Sequence, residues 1–396
     1  MMQISPETQL FIREHSSDDV RALALQAKKF PDIDMPTAIT QIAGRKVAAE
    51  KIPSWWEIEK IWYPKHLSLE QCSSEITARY KARLLQGDSL TDLTGGFGID
   101  CSFLATGFKS ATYVERQEEL CEIAAHNFPV LNLNHINIRN EDGVTYLQAM
   151  SPVDCLFLDP ARRNEHGGKT VAISDCEPNV AELEELLLQK ANRVMIKLSP
   201  MLDLSLALKE LKQTQEVHIL SVNNECKELL ILLGQTSPTE ISIHCVNLST
   251  KGTQEEQHFV FTREQEQCSE CTYTDSLETY LYEPNASLLK AGAFRSIAAA
   301  YPVRKLHPNS HLYTSDTFIE NFPGRIFRIV NQCSFNKKEV KENLADLKKA
   351  NVTVRNFPTT VAELRKRLHL TEGGDTYLFA STLNNGQKVI IRCEKV

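Results

Sequence analysis

A glycine-rich turn between a strand and a helix constrains this chain more than any other feature. It reads Asp92-Leu93-Thr94-Gly95-Gly96-Phe97-Gly98-Ile99-Asp100. A strand-like run, Ser89 to Leu93, feeds into it, and a helix-like run, Ile99 to Phe108, leaves it. In an α/β sheet this junction is where a nucleotide pocket forms, because glycines let a ligand approach the backbone closely. Glu115 closes the next strand, Ala111 to Val114, about twenty residues on, where a ribose-binding carboxylate is expected. Thr94, Gly95, Gly96, Gly98 and Glu115 are therefore candidate cofactor residues. The plainer reading is a tight structural turn followed by a solvated strand-end acid.

From Ser89 to about Gly234 the pattern alternates strand and helix, which predicts a mostly parallel, doubly wound sheet. The strand candidates are Ser89 to Leu93, Ala111 to Val114, Ile136 to Arg139, Asp154 to Leu158, Arg193 to Lys197, His218 to Val222 and Leu229 to Leu233. Only Asn223 to Glu228 separates the last two, too short for a crossover helix, so they should pair antiparallel. The remainder divides around this core, 86–235. Residues 1–85 read as a helical domain, with helices over Val20 to Leu25, Met35 to Glu50 and Leu69 to Leu85. Residues 236–323 read as a β-extension, a polar linker at Thr262 to Ser276 and a small segment with a helix within Tyr282 to Tyr301. Residues 324–396 read as a β-α-α-β-β tail: Ile326 to Gln332, Lys337 to Ala350, Thr360 to Leu368, Thr376 to Ser381 and Gln387 to Cys393.

With 396 residues the chain is long enough for two or three domains. Neither a basic, apolar leader nor a membrane-length apolar run is present, so a cytoplasmic protein that meets no membrane is expected. Eleven scattered cysteines fit reduced thiols. Cys268 and Cys271 form a close pair without a second pair of ligands, so no metal is expected. The formal net charge of -7 argues mildly against bulk nucleic-acid binding, but Arg325 to Arg367 holds eleven Lys and Arg against four acids. That local excess suits phosphates.

The order of elements resembles the class I methyltransferase sheet, in which parallel strands end in an antiparallel hairpin. A wider set of residues is similar to the bacterial S-adenosylmethionine-dependent methyltransferases that carry a C-terminal THUMP-like domain. It comprises Asp92 to Gly98, Glu115, Asp159-Pro160-Ala161-Arg162-Arg163 and the upstream Ser73-Ser74-Glu75-Ile76-Thr77-Ala78-Arg79-Tyr80-Lys81. In the tail it comprises Arg355-Asn356-Phe357-Pro358, Val361 to Leu368 and Gly373-Gly374-Asp375-Thr376-Tyr377-Leu378-Phe379. Tyr282-Glu283-Pro284-Asn285-Ala286 with Lys290-Ala291-Gly292 resembles a small ferredoxin-like segment that precedes such a domain.

The resemblance implies S-adenosylmethionine as cofactor, held by Thr94, Gly96, Gly98, Glu115 and Asp142. Asp142 precedes a helix, so an ordinary N-cap explains it equally well. The resemblance puts Asp159 nearest the reaction, with Pro160 and Arg162 beside it as catalytic candidates. Arg163, Lys197 and Asn223 become candidate substrate contacts at the strand ends. The long loop Asn164 to Pro178 reads as a lid. THUMP domains imply RNA as the acceptor, docked by basic residues such as Lys337, Lys341, Arg365 and Arg367. The Asp-Pro-Ala-Arg motif lacks the aromatic residue that stacks on a flipped base, and Cys226 is the nearest candidate for a nucleophilic thiol. Transfer to a protein or small molecule, and RNA binding without catalysis, remain open. A nicotinamide dehydrogenase is disfavoured by the terminal hairpin and by the glycine spacing.

Overall fold

The computed structural model describes residues 4–162, 172–236, 238–250 and 256–396. The chain divides into two compact units, Met1–Glu216 with Leu229–Thr239, and Val217–Glu228 with Glu240–Val396.

The first unit begins with helices α1 (Pro6–Glu14), α2 (Val20–Leu25), α3 (Met35–Lys51), α4 (Pro53–Trp56), α5 (His66–Gln71) and α6 (Glu75–Ala82). Asp19 and Asp34 cap α2 and α3 by accepting from Arg21, Ala22 and Thr37 backbone N–H groups, which would otherwise lack partners. The single helix expected over Leu69 to Leu85 is broken at Cys72-Ser73-Ser74. Ser73 is buried there, and its hydroxyl donates to Asp100 at 2.7 Å, so the chain turns inward instead of continuing helical.

The alternating core follows as β1 (Ser89–Asp92), α7 (Ile99–Ala105), β2 (Ser110–Glu115), α8 (Glu118–Val130), β3 (Ile136–Asn140), α9 (Gly143–Ala149) and β4 (Val153–Leu158). A small antiparallel pair, β5 (Ala161–Arg162) and β6 (Cys176–Glu177), flanks the undescribed part of the Asn164 to Pro178 loop. Then come α10 (Val180–Lys190), β7 (Ala191–Leu198), α11 (Leu204–Glu210), β8 (Thr214–Val222) and β9 (Glu225–Gly234). The strand order is β3-β2-β1-β4-β7-β9-β8. β1 to β4 and β7 pair parallel, and β9 lies antiparallel against β7. This is the expected α/β sheet with a terminal hairpin. The hairpin turn is tighter than its sequence implied: Asn223 and Asn224 both have positive φ, 50° and 66°, the two-residue geometry that suits strand twist.

Apolar residues of the N-terminal helices and the segments between them pack against the glycine turn. Ala48, Ile52, Trp55, Ile61, Tyr63, Leu69 and Ala78 form one cluster with Phe97, Ile99, Phe103 and Ile123. Trp55 meets Phe97 edge-on at 5.2 Å and is 2% exposed, so it belongs to the core. Trp55→Ala is expected to lower stability by about 3–5 kcal/mol, read as a fall in the urea midpoint.

In the second unit β10 (Ser242–Leu248) and β11 (Glu256–Thr262) extend the order β9-β8-β10-β11. The expected linker at Thr262 to Ser276 contains α12 (Arg263–Cys268), started by a Thr262–Gln265 capping box. Next come β12 (Tyr280–Pro284), α13 (Ala286–Ala291), α14 (Phe294–Ala300), β13 (Arg304–Lys305) and β14 (Tyr313–Ser315). The tail contributes β15 (Gly324–Ser334), α15 (Lys337–Leu344), β16 (Asn351–Val354), α16 (Val361–Leu368), β17 (Thr376–Thr382) and β18 (Lys388–Lys395). It therefore reads β-α-β-α-β-β: α15 ends before the expected Ala350, and Asn351-Val352-Thr353-Val354 pairs parallel with β17. A single sheet, β13-β14-β12-β15-β18-β17-β16, spans residues 304–395 together with β12. Buried Glu283 on β12 pairs with Arg325 and Arg355 of the tail.

Candidate active site

The glycine turn is shaped by what lies beneath it. Leu93 N–H bonds the Phe157 carbonyl at 3.0 Å, and Gly95 N–H bonds Val114 at 2.8 Å, tying the turn to β4 and β2. A Cβ on Gly95 would lie 2.2 Å from the Tyr113 ring, so only glycine fits there. Gly98 has φ +86°, a left-handed conformation that starts α7. At Gly96 a Cβ would meet nothing nearer than the Thr94 carbonyl at 3.8 Å, so that side of the turn is open. Gly95→Ala should therefore displace the turn over Tyr113 and weaken ligand binding at least tenfold, measured by calorimetry.

Glu115 is 8% exposed and its carboxylate braces the turn. One oxygen accepts from Gly96 N–H at 2.9 Å and the other from Gln117 N–H at 2.9 Å. A carboxylate has about four lone-pair positions, so room for sugar hydroxyls remains. Asp142 caps α9, accepting from Val144 N–H at 3.1 Å and Thr145 N–H at 2.9 Å. The Thr145 backbone bond holds its carboxyl below the ordinary range, with the Thr145 hydroxyl and Val144 N–H adding to it.

Behind the turn lies a cluster of charges. Asp159, at the end of β4, has its backbone N–H bonded to the Thr94 hydroxyl at 2.6 Å, coupling the β4 end to the turn. Its carboxylate meets the Lys197 ammonium at 2.5 Å. Lys197 reaches Asp100 at 3.2 Å, and Lys81 reaches the other oxygen of Asp100 at 3.0 Å. The Ser73 hydroxyl accepts from both lysines, at 2.9 and 3.0 Å, and donates to Asp100 at 2.7 Å. The order Lys81–Asp100–Lys197–Asp159 alternates in sign and runs outward, from a Lys81 side chain that is 0% exposed to an Asp159 side chain that is 36% exposed.

Burial pushes the Asp100 carboxyl up, but Lys81 and Lys197 outweigh it and hold Asp100 well below the ordinary range. At Asp159 loss of solvent around the carboxyl outweighs the pull of Lys197 and holds it above the ordinary value, although 36% of the side-chain surface is exposed. Asp92 is fully buried at the base of the turn, and burial raises its carboxyl far above the usual range. One Asp92 oxygen accepts from Thr94 N–H at 3.0 Å, and the other is a buried polar atom without a hydrogen bond.

The structure thus joins Thr94, Gly95, Gly96, Gly98, Glu115, Asp159 and Lys197 in the first unit, with Pro160 following Asp159. Arg162 lies in the short β5, whereas Arg163 and residues 164–171 of the expected lid fall outside the described residues. Asn223 belongs to the second unit, where its side-chain amide donates to Thr250 at 2.8 Å. Burial raises the Cys226 thiol to about 11, which leaves it mostly protonated and a poor nucleophile at neutral pH. Among the tail residues, Lys337 and Lys341 are exposed on α15, Arg365 is paired with Glu372 at 2.9 Å, and Arg367 lies 4.1 Å over the Phe335 ring. Ser73, Lys81, Asp92 and Asp100 were not named as site residues from the sequence. The upstream Ser73 to Lys81 string was the signal that pointed toward two of them.

The chain is similar to known proteins along its whole length. Residues 280–323 match a ferredoxin-like domain, and residues 324–395 match a THUMP domain-like model. A crystal structure described as a "putative methyltransferase" from Porphyromonas gingivalis W83 is 34% identical, with a TM-score of 0.88, and the match covers 100% of both chains. An rRNA methylase from Streptococcus thermophilus is 14% identical with a TM-score of 0.29, covering 40% of this chain and 93% of that one, and carries no weight here. No curated protein matches the sequence. At that identity over its whole length, the chain belongs to the family of the Porphyromonas gingivalis protein, a methyltransferase-like family, here with a C-terminal THUMP domain-like segment.

Proposed function

We propose that the chain transfers a methyl group from S-adenosylmethionine to a nucleotide of structured RNA. The observation that carries this is the Asp159–Lys197 pair, held by the Thr94 hydroxyl beside the glycine turn. The open side at Gly96 and the Glu115 carboxylate beside it suit a nucleoside ligand. When bound, S-adenosylmethionine supplies a methyl group already activated on a sulfonium, so the protein's part is mainly alignment.

Thr94, Gly95, Gly96, Gly98, Glu115 and Asp142 would hold the cofactor. Asp159 and the Pro160 carbonyl would orient an acceptor amine, and Arg162 and Arg163, which follow in the chain, would contact the acceptor. Asp159 would take the proton that the amine sheds as its lone pair bonds to carbon. A carboxylate with a raised pKa is better suited to that role than an ordinary one. It must be ionised to accept, so activity should fall as the pH drops through its folded value. Lys197 lowers that value, so Lys197→Met should move the acid limb of the pH–rate profile to higher pH. A limb unchanged in the variant would remove Asp159 from the titration.

The THUMP domain-like tail, with Lys337, Lys341 and Arg367 exposed, supports RNA as the acceptor. In the full chain, Lys337→Gln with Lys341→Gln should weaken RNA binding and flatten its dependence on salt by about one to two units of slope. A slope that does not change would favour a protein or small-molecule acceptor. Calorimetry of wild type with S-adenosylmethionine tests the cofactor directly, and no detectable binding would end the enzymatic reading.

A further inference from the structure

We propose that His218, His244 and His258 form a binding site for a divalent transition-metal ion of the zinc type. The three residues occupy neighbouring strands, β8, β10 and β11, all within the second unit. Their rings form a stepped row. His218 and His244 lie 4.3 Å apart with planes 16° from parallel, and His244 and His258 lie 5.3 Å apart at 27°. Strand pairing places His258 opposite Val246 and His244 opposite Val260, so the two histidines are diagonal neighbours. A diagonal pair on one face of a sheet is within reach for side chains of this length.

The nitrogen positions favour coordination. His244 Nδ1 and His258 Nε2 stand 3.1 Å apart. Two imidazole nitrogens bound to a tetrahedral zinc at about 2.0–2.1 Å are separated by roughly 3.4 Å. Seating an ion between them therefore needs an opening of only a few tenths of an ångström. Ring nitrogens of His218 and His244 come within 4.8 Å of one another, which makes His218 the candidate third donor. The other nitrogen of His244 is 3.2 Å from the Ser242 hydroxyl, the sort of outer contact that fixes ring orientation at metal sites.

Burial grades along the row. His218 is 2% exposed, His244 is half-buried and His258 is exposed, so one end anchors the site and the other provides an entry path. Three neutral imidazoles with water in a fourth position select zinc, cobalt, nickel or copper over magnesium or calcium. Nothing in the sequence spacing announces such a site, because the three strands rather than a motif assemble it. The cation would tie β8, β10 and β11 together.

The test uses the full chain stripped with a chelator, with Co²⁺ and then Zn²⁺ as probes. The expected result is one equivalent of Co²⁺ with visible absorption of low-coordinate cobalt, displaced by Zn²⁺. His258→Ala should lower affinity more than about a hundredfold, beyond the roughly 10–100-fold that loss of an outer contact costs. Because His258 is exposed, that variant should keep the metal-free urea midpoint of wild type. His244→Ala should lower affinity likewise, while Cys268→Ser with Cys271→Ser should bind as wild type does. Equal Co²⁺ binding by wild type and a His244→Ala, His258→Ala double variant would overturn the proposal. So would binding that disappears only in the cysteine variant, or no binding by wild type.

Discussion

Asp159→Asn should cut methyl transfer by about 10²–10⁴-fold while leaving affinity for S-adenosylmethionine nearly unchanged. The amide keeps the shape of the side chain, and the Asp159 backbone N–H that bonds Thr94 is untouched. What it removes is the negative charge next to Lys197 and the oxygen able to accept a proton. The change should appear in kcat rather than KM, because the lost contact matters most as the proton leaves the acceptor. Full activity in Asp159→Asn would show that alignment alone suffices and that proton transfer goes elsewhere. A large loss of cofactor affinity would instead place Asp159 in the cofactor pocket.

Lys81→Met should lower stability by about 3–5 kcal/mol, the usual consequence of removing one partner from a buried ion pair. Lys81 is fully buried and within 3.0 Å of Asp100, so the methionine would strand a carboxylate that only Lys197 could then offset. The sign follows from the cluster's charge balance. Two lysines face Asp100 and Asp159, and removing one leaves net negative charge in a poorly solvated place. Activity should also fall, since Lys197 would be drawn toward Asp100 and away from Asp159. The checks are the urea midpoint and the turnover of the folded fraction. A Lys81→Met protein as stable as wild type would mean that the cluster is well solvated.

The sheet was legible because periodicity is local. Strand, turn and helix signals around Thr94 to Gly98, and the short link between β8 and β9, each lie within a few residues. The missed elements are those whose signal is weak or shared. Asn351 to Val354 is a four-residue strand next to a lysine-rich helix, so its pattern merged with the helix. The helix Arg263–Cys268 is polar throughout and rests on its capping box. The charged cluster is a tertiary product. Ser73, Lys81, Asp100, Asp159 and Lys197 come from separate parts of the chain, and the packing of α6 against α7 brings Lys81 to Asp100. Glu115 at a strand end and Asp142 at a helix start could both be placed from the sequence. Glu115 accepts from backbone N–H groups and Asp142 from backbone N–H groups and the Thr145 hydroxyl, an arrangement the sequence offered only as the plainer alternative for Asp142.

The most direct measurement combines purified full-length protein, S-adenosylmethionine and RNA from cells lacking this protein, followed by digestion to nucleosides and mass spectrometry. The account predicts that one methylated nucleoside increases with wild type and does not with Asp159→Asn. An unchanged nucleoside profile with wild type, or an equal gain with Asp159→Asn, would contradict it.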